Sequence, residues 1–113
     1  IRVRSKSEIM IADALSRNKI PFKYEMPQIL SNNNQKVIFY PDFTCLNHKT
    51  HEIFLWEHLG IMDNDEYAEN AIAKINIYQK NGFCPGKNLI LSMETKNNPL
   101  SSKMVAGLIE NYF

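Results

Sequence analysis

Lys36 to Leu46 reads KVIFYPDFTCL and Glu52 to Leu59 reads EIFLWEHL, two runs joined by the polar stretch Asn47-His48-Lys49-Thr50-His51. Both runs are rich in β-branched and aromatic residues, and turn formers separate them, which predicts a β-hairpin. Each run carries one acid: Asp42 within Tyr40-Pro41-Asp42-Phe43, and Glu57 within Trp56-Glu57-His58-Leu59-Gly60. Side chains alternate along a strand. Ile38, Tyr40, Asp42 and Thr44 are therefore expected on one face of the first strand, and Ile53, Leu55, Glu57 and Leu59 on one face of the second. An ionised carboxylate among Phe, Trp and Leu is costly unless a cation or a donor meets it. Two such acids on neighbouring strands can converge on a divalent metal.

Upstream of the hairpin, Ser5 to Glu8 has the Ser-x-x-Glu form of a capping box. Ile9, Ile11, Ala12 and Leu15 then recur at helical spacing, which predicts a helix from about Lys6 to Asn18, ended by Asn18-Lys19-Ile20-Pro21. Phe22, Tyr24 and Met26 alternate with charged residues as a first strand running unevenly past Pro27 to Leu30, and Ser31 to Gln35 reads as a turn. Downstream, Asp63-Asn64-Asp65-Glu66 collects helix-initiating residues and acids that the helix dipole favours. Tyr67, Ala71, Lys74, Ile75 and Tyr78 follow at steps of three and four, giving a helix from about Asp65 to Asn81 with Gly82 past its end. Asn88 to Met93 is a short apolar strand expected to be buried on both faces. Ser101 or Ser102 caps a last helix bearing Met104, Val105, Leu108 and Ile109. The order is α-β-β-β-α-β-α, an α/β domain with helices packed on a mixed four-stranded sheet.

At 113 residues the chain holds one domain over 1–113 with a real core and is too short for two. Its 44% hydrophobic and 22% charged residues are those of an ordinary soluble globular domain, expected in the cytoplasm. The net charge of +1 gives no global basic field, so any nucleic-acid surface is a local patch. Two cysteines, Cys45 and Cys84, make no disulfide framework. No apolar run approaches the roughly 18 residues of a membrane span. The chain begins at Ile1 rather than Met, as a piece of a longer protein would.

This order, with acids in the second and third strands, resembles the PD-(D/E)xK nuclease superfamily. Pro41-Asp42 matches the first half of that motif, Glu57 the second acid, and Glu8 the acid that many members carry on the first helix. The strand lysine expected two residues after Glu57 is replaced by Leu59. Lys74, in the following helix, is the candidate for a migrated lysine, and His58 is the competing one. The series Tyr40-Pro41-Asp42-Phe43, Trp56-Glu57-His58-Leu59-Gly60, Tyr67 and Lys74 looks most like the nuclease-like domain of helicase IV-type proteins.

The resemblance implies a restriction-endonuclease-like core and a domain that hydrolyses DNA phosphodiesters, in the setting of DNA repair. Asp42, Glu57 and Glu8 would hold Mg²⁺ or Mn²⁺, and hard oxygen ligands suit such ions. Lys74 or His58 would serve at the reacting phosphate. Arg2, Arg4, Lys6, Lys19, Lys23 and Lys103 would meet DNA phosphates, contacts that carry little sequence information. A helicase or other domain, in the same chain or another, is the implied partner besides DNA. The alternative is a catalytically inactive nuclease-fold module for nucleic-acid binding or protein interaction, which the missing strand lysine favours and the three retained acids disfavour. Cys45-x-x-His48-x-x-His51 has no common zinc-ligand spacing, and no Gly-rich phosphate loop occurs.

Overall fold

The computed structural model describes residues 5–113. Helix α1 (Lys6–Arg17) starts at Ser5, whose hydroxyl accepts from Glu8 N at 3.1 Å. Three strands then precede the decisive hairpin: β1 (Phe22–Tyr24), β2 (Gln28–Asn32) and β3 (Gln35–Phe39). The hairpin itself is β4 (Phe43–Leu46) and β5 (Ile53–Leu59). Helix α2 (Asp65–Lys80), capped by Asn64, β6 (Leu89–Met93) and α3 (Ser102–Tyr112), capped by Ser101, complete the chain. Among the described residues no helix is long and apolar enough to cross a membrane.

The main sheet has the order β1-β4-β5-β6. Its first two pairings are antiparallel, with Tyr24 opposite Phe43 and Phe43 opposite Trp56. The last is parallel, with Glu57 opposite Leu91. A parallel neighbour needs a crossover, and α2 supplies it. On one face, Phe43, Trp56 and Ile90 pack against Ile11 and Leu15 of α1 and Val105 of α3. On the other, Leu55 and Leu89 pack against Tyr78 of α2 and against Leu30, Val37 and Phe39.

Those last three residues mark where the observed fold departs from expectation. Lys36 to Leu46 is not one strand. Pro41 has no N–H to give a ladder and fixes its own φ. The chain bends through Tyr40-Pro41-Asp42, so β3 and β4 lie in different sheets. Ile38 is exposed on a separate β2–β3 hairpin and Tyr40 in the bend after it, whereas Thr44 is buried in the main sheet. The expected common face of Ile38, Tyr40, Asp42 and Thr44 therefore does not exist.

The first expected strand breaks in the same way. Glu25 takes φ 50, β1 stops at Tyr24, and β2 starts afresh beyond Pro27. The element order gains two strands, β2 and β3, over the α-β-β-β-α-β-α expectation. The turn expected over Ser31–Gln35 contracts to Asn33 and Asn34, with φ 52 and 65, between the paired Asn32 and Gln35. Two successive left-handed residues make the turn whose twist suits a two-residue hairpin, and Asn tolerates that conformation. In β6, Leu89, Ile90 and Ser92 are buried but Met93 is exposed, so that strand is covered on both faces only in its first half.

Asn34→Gly should therefore hold or raise stability in urea unfolding. Asn34→Val should lower it by about 1 kcal/mol, because a β-branched side chain resists the left-handed conformation.

Candidate active site

Glu57 sits mid-strand in β5 on the face that α2 covers, and it is 4% exposed. Two neighbours make that burial tolerable. Tyr78 donates its hydroxyl to Glu57 Oε2 at 2.6 Å. Lys74 Nζ lies 2.6 Å from the same oxygen. The phenol of Tyr78 is held far above its ordinary range, by burial first and then by the charge of Glu57, so it stays a donor. Lys74 and Tyr78 are one helical turn apart on α2 and reach the sheet together. The ammonium of Lys74 also stands 5.5 Å from the Phe39 ring centre and 5.9 Å from that of Tyr78, within cation–π range. Ala71 and Tyr78 are buried and Lys74 is half-buried, so the stripe expected to face the sheet does so.

Asp42 reaches the same place from the bend before β4. Its Oδ2 accepts from the backbone N–H of His58 at 2.7 Å. Burial raises its carboxyl from 3.8 to about 7. The charge of Glu57 adds to the rise, and more weakly that of Glu8, against the lowering hydrogen bond from His58 and the charge of Lys74. Asp42, Glu57 and Lys74 line one cleft of about 240 Å³, with Tyr67 and Asn70 of α2 on its rim. Tyr67 steadies that rim by accepting from Gly60 N at 3.1 Å.

The other expected site residues fall elsewhere. Glu8 spends its carboxylate on the Ser5 hydroxyl and on Tyr24, whose O–H donates at 2.9 Å, and contributes to Asp42 only through its charge. The ring of His58 points to the opposite sheet face, as alternation predicts. There its Nδ1 lies 2.7 Å from Ser92 Oγ and its Nε2 2.6 Å from Glu94 Oε1. Trp56 Nε1, a donor only, gives its hydrogen to Ser92 Oγ at 3.0 Å. Ser7 also donates to Glu94, and that bond is the main reason the Glu94 carboxyl lies below its usual range. Lys6 and Lys23 are exposed, on α1 and β1. Arg2 and Arg4 lie outside the described residues.

The residue order gave Tyr78 only a place in the helical spacing and did not single out Glu94; Tyr78 is a core residue whose hydroxyl also serves Glu57. A tyrosine on the helical stripe of Lys74 was the available signal for the first. Glu94 becomes legible only with the parallel register that sets Ser92 beside His58.

The acids fit a small hard cation. Asp42 Oδ1 and Glu57 Oε1 take no hydrogen bond from the described residues, and neither is an orphaned buried atom, so both keep access to the cleft. No group of three or more His, Cys, Asp and Glu gathers to hold a metal among the described residues. Two carboxylates completed by water and substrate oxygens suit Mg²⁺, which seldom uses an all-protein cage.

Comparison with known proteins finds a distant relative. An uncharacterized protein of Methanocaldococcus jannaschii is 33% identical over 105 residues. The match covers 92% of this chain but spans only 8% of the relative's length. No family model and no solved structure matches.

The raised carboxyl of Asp42 has a definite sign. An acid with a higher pKa in the folded state contributes stability that is complete below about 4 and disappears as pH rises through about 7. The metal-free domain should thus lose stability between pH 4 and pH 7 from this group. Asp42→Asn should flatten that part of the profile in thermal melts taken at each pH.

Proposed function

We propose that the chain is a metal-dependent nuclease domain of the PD-(D/E)xK type, hydrolysing DNA phosphodiesters. The observation that carries this reading is the meeting of Asp42, Glu57 and Lys74 in one cleft, with the ammonium 2.6 Å from the buried carboxylate. With the β2–β3 hairpin set aside, the elements follow the α-β-β-β-α-β-α order and four-stranded mixed sheet that the resemblance leads one to expect. This supports a restriction-endonuclease-like core with the hairpin inserted in it.

Asp42 and Glu57 would hold Mg²⁺ or Mn²⁺. Such an ion lowers the pKa of its water and takes up charge on the phosphate. His58 N–H fixes the rotamer of Asp42, and Tyr78 fixes that of Glu57. Were a cation to share Glu57, the Lys74 ammonium would be free to turn toward the attacking water or a phosphate oxygen. The ammonium already stands beside the Phe39 and Tyr78 rings at the cleft, which keeps that reach short. Glu8 would act through its charge and through water. Lys6 and Lys23, with Arg2 and Arg4, would meet the DNA backbone. A matching stretch inside a much longer relative supports a setting beside a helicase or another domain.

One observation favours a second reading. A lysine lying directly on a buried glutamate also suits an inactive nuclease fold kept as a binding module, in which the pair is only structural.

Calorimetry with Mn²⁺ should find binding weakened by both Asp42→Asn and Glu57→Gln. Binding by the wild type should strengthen as pH rises through 7, because the ion displaces a proton from Asp42. Lys74→Met should keep metal binding while cleavage falls roughly 100- to 1,000-fold, the scale of losing a group that stabilises transition-state charge. Failure of the wild type to cleave DNA with either ion would give the site to the binding module. Metal binding untouched in either acid variant would dissolve the shared site.

A further inference from the structure

The sheet face that carries the acids is only half covered. Helix α2 and the β2–β3 hairpin close over Leu55 and Leu89. Toward β1 the same face opens into a groove of about 280 Å³, whose walls include Lys23, Met26, Thr44, Leu46 and Ile53. The register shows that the face is shared: Lys23 stands opposite Thr44, and Thr44 opposite Leu55. Leu55 precedes Glu57 by two residues on β5, so Thr44, opposite Leu55, lies on the face of Glu57. The near end of the groove, at Thr44, thus lies along the sheet from Glu57 at roughly 7 Å. That is on the order of one nucleotide step along an extended strand of DNA.

Thr44 makes the groove more than an apolar hollow. It is 7% exposed, and its Oγ1 is the one buried side-chain polar atom among the described residues without a partner. A valine of the same shape would remove the desolvation cost of that hydroxyl, so the hydroxyl is carried at the expense of stability. Lys23, exposed and directly across from it, supplies a positive charge. Met26 and Ile53, 40% and 44% exposed, give apolar walls beside these two polar groups. A hydroxyl donor, a cation and apolar walls match a phosphate joined to a sugar and base.

We propose that this groove is a nucleotide subsite, holding the unit of a DNA strand next to the scissile phosphate. The Thr44 hydroxyl turns about its side-chain bond to donate to a phosphate or sugar oxygen. Lys23 balances the phosphate charge, and Met26, Leu46 and Ile53 pack against the sugar and base. The inference rests on the nuclease reading of Asp42, Glu57 and Lys74, whose substrate it extends by one unit.

The test measures anisotropy of a short fluorescein-labelled DNA strand with Ca²⁺ in place of Mg²⁺, alongside thermal melts of each variant. Thr44→Val should bind the strand roughly tenfold more weakly, the scale of a hydrogen bond to a charged group, while melting at or above the wild type. Thr44→Ser should restore binding. Lys23→Ala should reduce the slope of log affinity against log salt by about 0.7. Wild-type affinity in Thr44→Val overturns the subsite, and if that variant still cleaves DNA the nuclease reading survives alone. Binding and melting temperature falling together in Thr44→Val make the hydroxyl structural and also overturn the subsite. A wild type that binds no DNA strand at any salt concentration removes both readings.

Discussion

A carboxylate buried in the middle of a strand is the constraint from which the rest of this molecule follows. Glu57 cannot sit beneath α2 without compensation, and the compensation has to come from the element that buries it. Tyr78 and Lys74 both come from that helix and converge on one oxygen. Removing either partner alone would leave a buried charge short of donors, a far larger penalty than the net worth of the contact. Sheet, helix and ionic pair are therefore one cooperative arrangement. It leaves the other oxygen of Glu57 turned to the cleft.

Asp42 answers the same constraint differently. It lies outside the regular ladder, at a bend that Pro41 enforces, and so is free to aim its carboxylate along the sheet. Burial first, and then the charges of Glu57 and Glu8, raise its carboxyl to about 7, against one backbone N–H from the described residues. The pair is thereby divided: Glu57 meets a lysine and a tyrosine of α2, and Asp42 a backbone N–H of β5. On the far side of the sheet, His58 links the two halves of the molecule. Its backbone serves Asp42 while its ring serves Ser92 and Glu94, and Glu94 in turn receives Ser7 of α1 and the backbone of Leu100.

Much of this was legible from residue order alone. The three-and-four spacing around Lys74 placed it on the sheet-facing stripe, because helical periodicity survives any tertiary arrangement. Alternation along β5 separated Glu57 from His58 for the same reason. Alternation failed across Pro41, where a run of strand-forming residues continues through a break that only the missing N–H reveals. It failed again at Glu25, a residue whose left-handed backbone no composition rule would suggest. The roles of Glu94 and Thr44 were out of reach, since each depends on which strands are neighbours and in what register. The position of Glu8 was read correctly as the third residue of a helix cap, and that duty, together with Tyr24, now occupies its carboxylate.

The β2–β3 hairpin leaves and rejoins the main sheet through one narrow neck. Glu25 N donates to Asp42 O at 3.2 Å, continuing the β1–β4 ladder by one rung at the point where the excursion begins and ends. The register of the four-stranded sheet is thus indifferent to what happens at the tip, and residues can be added at Asn33–Asn34 without shifting a single pairing in the body. Below that turn the hairpin is anchored: Phe39 and Leu30 help to cover Tyr78 and Leu55, and Ser31 exchanges two backbone hydrogen bonds with the Asn81 side chain at the end of α2, so extra length is accommodated at the turn and not along the strands.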